Sequence, residues 1–184
     1  MAITQLWLPI IAAAVFVFIA SSLVHMVFKW HQPDYKALKN EEDVRKTLSA
    51  GELTPGIYVT PYCGDMKDMG SEKVQQQYRD GPVAFITVIA PGVPKMGKSL
   101  GQWFLLNLAI ATLGALLALQ AFGVTANPRQ AAHLVGIFTM IAYGCGSIQD
   151  SIWMGRTWSS TLKYLLDAFI YGAVSALSFN FLWP

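Results

Sequence analysis

Four apolar stretches, residues 6–28, 100–122, 131–148 and 164–183, each come near the roughly 20 residues that an α-helix needs to cross bilayer hydrocarbon, and they fill much of a 184-residue chain. Lipid offers no partner for a bare backbone, so a spanning segment must be helical. With 54% apolar and only 13% charged residues, the composition is too hydrophobic for an ordinary soluble domain, and the length is too short for two. The expected fold class is an all-α membrane protein: a four-transmembrane-helix bundle with a small α+β cytoplasmic segment between helices 1 and 2. The expected organisation is an N-terminal transmembrane helix over 1–28, a cytoplasmic segment over 29–99 and a three-helix transmembrane region over 100–184. No basic residue precedes the first apolar run, whereas Lys29 and Lys36 follow it. That order predicts a retained anchor rather than a cleaved signal peptide.

Charge fixes the expected orientation. With both termini outside, Arg129 is the single residue among 13 Lys and Arg that falls on the outer side. Lys29, Lys36, Lys39, Arg45, Lys95, Lys98, Arg156 and Lys163 lie near helix ends on the inner side, as the positive-inside rule requires. The aromatics agree, since Trp7 and Trp183 would mark the outer interface and Trp30, Trp103, Trp153, Trp158 and Tyr164 the inner one. Small residues at close-approach spacing, Ala111, Gly114, Ala115 and Ala118, then Gly136, Gly144 and Gly146, then Gly172, Ala173 and Ala176, predict tight packing between the last three helices.

Within the 29–99 segment, ten basic and nine acidic residues describe a folded, nearly balanced appendage rather than a tail. Asn40 followed by Glu41, Glu42 and Asp43, with Arg45 and Lys46 beyond and Gly51 after, has the charge order of a short helix. Val44 and Leu48 would form its inward face. Residues 54–56 read as a turn, 57–60 as a strand and 71–79 as a second helix ended by Gly81-Pro82. At eight residues, 83–90 is too short to span, leaving a strand or an interfacial run.

Three motifs invite a chemical function. Residues 92–99, Gly-Val-Pro-Lys-Met-Gly-Lys-Ser, match the phosphate-loop pattern, but such a loop needs a parallel sheet, a water-accessible helix start and a magnesium carboxylate. Pro94 also removes a backbone donor. The preferred reading is that Ser99 caps the second span while Lys95 and Lys98 fix its inner end. Haem between imidazoles is opposed by depth, since His25 and His133 lie at opposite ends of their spans, roughly 20 Å apart at 1.5 Å per residue, with His31 outside the membrane. Cys63, Met66 and Met69 offer soft ligands without a second thiol or histidine, so ordinary packing is preferred to copper. Both Cys63 and Cys145 are expected to be free thiols. No cofactor, metal or catalytic residue is expected, and the small net charge gives no reason to expect nucleic acid.

The remaining candidate is a polar cluster at one depth: Gln102, Asn107, Gln149, Asp150, Arg156, Lys163 and Asp167. A carboxylate inside a span is expensive unless paired, which flags Asp167. Pairing Asp167 with Lys163, four residues away on one helix face, and Asp150 with Arg156 would make the cluster a structural clamp. The functional expectation is a non-enzymatic inner-membrane accessory, assembly or scaffold subunit, acting through other membrane proteins or self-association in the lipid bilayer. The alternative is an oligomeric transporter or channel for ions or small solutes, built around Asp167. The stretches 149–163 and 91–103, with Asp167 and the ending Phe181-Leu-Trp-Pro184, resemble small bacterial integral membrane proteins. That resemblance implies a bacterial inner-membrane location and brings no activity with it.

Overall fold

Ser21 and Ser22 decide how the first long helix ends. In the computed structural model, which describes residues 3–184, both hydroxyls donate to the Phe18 carbonyl, at 2.8 and 2.9 Å. Two side-chain donors on one carbonyl compete with the backbone ladder, and the helix passes from α to π geometry over Leu23–Phe28. Lys29 closes it in the left-handed region, at φ 53°, and a 3-10 turn, Gln32–Asp34, follows. In chain order the α-helices and strands are α1 (Trp7–Ser22), α2 (Glu41–Ala50), β1 (Gly56–Thr60), α3 (Glu72–Asp80), β2 (Ala84–Val88), α4 (Met96–Phe122), α5 (Pro128–Trp153) and α6 (Trp158–Leu182). The chain is mostly helical, with four helices long and apolar enough to span a membrane and a small two-stranded sheet.

The chain divides into two compact units, Met1–Lys36 with Lys95–Pro184, and Ala37–Pro94. In the first, α1 packs on α4 and α6, and α5 packs on α4 and α6, so the helices close into a ring. The α5–α6 contact is the most extensive, and small residues permit it. A Cβ on Gly172 would lie 2.7 Å from the Gly136 carbonyl oxygen, and one on Gly136 would lie 2.9 Å from the Ala176 Cβ. Gly144 is nearly as tight, whereas Gly146 faces open space, so three of the four glycines expected in this helix pair make close contacts. One end of the ring is filled by Leu6, Ile10, Ala115, Val135, Phe179 and Trp183 with further alanines. Trp183 also donates its indole N–H to the Val124 carbonyl at 2.9 Å.

Helix ends follow local chemistry. Asn127 accepts from the Arg129 amide at 3.0 Å with Pro128 in the first helical position of α5, and Thr157 accepts from the Ser160 amide to start α6. Ser99 does not cap α4. That helix begins at Met96 after Lys95, so Gly97, Lys98 and Ser99 form its first turn. Pro94 stands just before the helix, where its missing N–H costs nothing, and no breaker separates it from Leu100.

In the second unit, β1 and β2 pair antiparallel, with Ile57 opposite Thr87 and Val59 opposite Phe85. Residues 83–90 therefore contain a strand. An antiparallel pair offers no parallel sheet for a phosphate loop. Ser71 caps α3 by accepting from the Val74 amide, while Asn40 precedes α2 without a side-chain cap bond. Val44 and Leu48 are half-buried, a weaker version of the inward face expected. No residue of this unit is buried.

Candidate functional site

The loop after the π segment returns to the bundle and brings three side chains onto α6. Trp30 donates its indole N–H to Asp167 Oδ1 at 3.0 Å. His31 Nε2 lies 2.6 Å from Asp167 Oδ2, and Asp34 Oδ1 accepts from Lys163 Nζ at 2.5 Å. Asp34 also faces His31 from the other side, with Oδ2 3.4 Å from Nδ1. The imidazole thus sits between two carboxylates, and both it and Asp167 are buried, at 6% and 3% exposure. The hydrogen bond from Lys163 holds the Asp34 carboxyl below the ordinary value of 3.8, against an opposing effect of burial.

These partners replace the expected pairing of Lys163 with Asp167. Both lie on one face of α6, but the 30–34 loop interposes, giving Asp167 the Trp30 indole N–H and the His31 ring, and Lys163 its own carboxylate. The other expected pair forms, with Arg156 Nη2 3.0 Å from Asp150 Oδ2. The Arg156 guanidinium also lies 4.8 Å from the centre of the Tyr164 ring, a cation–π distance, and Tyr164 packs on His31 with ring centres 4.5 Å apart. Asp150 and Arg156 are therefore linked through Tyr164 to the His31–Asp167 group. Asn107 is buried deeper and accepts from the Tyr143 hydroxyl at 2.6 Å. Gln102 and Gln149 are exposed.

His25, on the π segment, comes within 5.0 Å of His31 between ring centres. Potential ligand atoms of His25, His31 and Asp167 all lie within 4.8 Å of one another. Depth arithmetic correctly separates His25 from His133, but it treats the first helix as straight and leaves His31 beyond it. The π segment and the left-handed Lys29 turn the chain so that residues six apart in sequence share one site. Two serines in succession near a helix end are the only signal of this in the sequence, and a weak one.

A cavity of about 480 Å³ adjoins the group, lined by His25, Trp103, Tyr143, Tyr164, Asp167 and Tyr171 among others. Trp103 is oriented by donating to Ser21 Oγ at 2.9 Å. The buried Tyr171 hydroxyl, which belongs to that lining, has no hydrogen-bond partner among the described residues. Cys63 and Cys145 are free thiols. Cys63 donates to the Asp65 carbonyl at 3.0 Å, and Met66 is exposed. Comparison with protein families, curated proteins and solved structures gives no match for this chain.

Proposed function

We propose that the chain is a multi-pass protein of the bacterial inner membrane, with both ends outside and residues 29–99 in the cytoplasm, acting without catalysis as an accessory, assembly or scaffold subunit. The charge asymmetry at the helix ends supports the orientation. The observation that carries the functional part is the state of the second unit. Its two-stranded sheet turns Ile57, Val83, Phe85 and Ile89 to solvent, at 69%, 53%, 45% and 75% exposure, and by strand alternation all four lie on one face. A two-stranded ribbon of five-residue strands is marginal without further cover, and nothing in this unit is buried.

The cover we propose is another protein. Residues 37–94 carry six basic and eight acidic side chains, a balance that an anionic lipid surface repels rather than attracts. In the bundle, by contrast, Asp167, Lys163 and Asp150 are all paired within the chain. The alternative of transport around Asp167 has the adjoining cavity in its favour and the apolar filling of the opposite bundle end against it.

Photo-crosslinking in cells tests this proposal. A photoreactive residue at Phe85 or Ile57 should give one discrete protein adduct, while the same group at the solvent-exposed Glu42 or Arg45 of α2 should give none. A free sheet face, together with ion flux in proteoliposomes that Asp167→Asn abolishes without loss of fold, would overturn it in favour of transport.

A further inference from the structure

We infer that His25, His31 and Asp167 form a binding site for one divalent first-row transition metal ion. This goes beyond the accessory role, which rests on the other unit. Two imidazoles and one carboxylate present ligand atoms within 4.8 Å of one another, so small side-chain shifts, with the 2.6 Å His31–Asp167 contact opening, bring all three onto a single ion at about 2.0–2.2 Å each. The donor set is nitrogen and oxygen of intermediate softness. That excludes an all-oxygen calcium or magnesium site and a thiolate-dominated copper(I) site, and selects zinc, iron(II), cobalt or manganese.

The surroundings supply the supports that such a centre requires. A metal-bound histidine presents its second ring nitrogen to a carboxylate or carbonyl, which fixes its tautomer. His31 Nδ1 lies 3.4 Å from Asp34 Oδ2, and both atoms are buried without a hydrogen-bond partner. A small ring rotation joins them once Nε2 is committed to an ion. Asp34 is itself held by Lys163, and Trp30 occupies Asp167 Oδ1, leaving Oδ2 toward the histidines.

His25 discriminates this site from a purely ionic clamp. A protonated His31 between Asp34 and Asp167 would satisfy both carboxylates without His25, whose ring is placed 5.0 Å away and makes no hydrogen bond among the described residues. A shared ion gives that placement a cause. His25 and Asp167 also line the 480 Å³ cavity, so an ion held by three protein ligands keeps a position open to a water or small ligand there, as in sites that are not purely structural.

The test uses full-length protein in detergent, stripped with chelator and titrated with Co²⁺ and Zn²⁺. Wild type should bind one ion per chain, with a visible cobalt absorption of low-symmetry coordination and a rise in melting temperature. Asp34→Asn, which alters only a positioning residue, should weaken binding about 10–100-fold. His25→Ala should weaken it further while leaving the metal-free melting temperature unchanged, because no structural bond is lost. His133→Ala and Cys63→Ser should bind as wild type does. Absence of binding by the wild type, or affinity that His25→Ala leaves intact, would overturn the assignment.

Discussion

Asp167 is the residue on which the polar end of the bundle turns. A carboxylate well inside an apolar helix is tolerated only if its charge is met, and here both oxygens are committed, one to Trp30 and the other to His31. The same economy extends to Asp34, which stands between His31 and Lys163. Its depressed pKa has a definite consequence. A group whose folded value lies below its unfolded value adds stability above the unfolded value and loses it as pH falls through the folded one. Asp34→Asn should therefore lower the melting temperature by a constant amount from about pH 7 to pH 5, and the difference should close only below the ordinary Asp value of 3.8. Thermal melts of both proteins across that range measure it. A difference that persists unchanged well below the ordinary Asp value would mean that the Lys163 contact does not hold Asp34 ionised.

At the scale of elements, the four long helices are legible in the sequence because length and hydropathy alone determine them, and Gly136 and Gly172 because close approach leaves room for no side chain. The strand pair is legible as two short apolar runs, although choosing strand over interfacial segment for 83–90 needed the pairing partner. What the sequence hides is the end of the first helix. A π segment breaks the 3.6-residue period that sequence patterns rest on, and a left-handed lysine carries no signal of its own, so the meeting of His25, His31 and Asp167 could not be read from spacing. The same reason defeats the Lys163–Asp167 pairing: an i,i+4 match says which groups can meet on one helix, not which loop will arrive between them. The glycine contacts yield a direct prediction. Gly172→Ala forces a methyl group to 2.7 Å from the Gly136 carbonyl oxygen, backbone that moves only if α5 and α6 separate. Overpacking of this kind costs about 1–3 kcal/mol. Gly146→Ala, which meets open space, should cost nothing and gain up to about 1 kcal/mol from helix propensity. Denaturation in mixed micelles compares the two, and equal stability would show that the helices do not approach as closely as described.

Across the whole molecule, one bundle end is closed by apolar side chains and the other carries the ionic groups, which is the asymmetry expected of a chain threaded with a preferred orientation. The proposed orientation places the loop between α4 and α5 outside and residues 37–94 inside. The native thiols make this testable with little alteration. Cys63 lies in the second unit, while Cys145 is exposed on the flank of α5 among apolar residues, where lipid would surround it and suppress the thiolate that reacts with maleimides. A membrane-impermeant maleimide should therefore leave wild-type cells unlabelled and label Cys63 once the inner membrane is permeabilised. Thr125→Cys, exposed in the α4–α5 loop, should be labelled in cells whose inner membrane is intact. Labelling of Cys63 in those intact cells, with Thr125→Cys protected, would invert the orientation and remove the second unit from the compartment in which its proposed protein partner is sought.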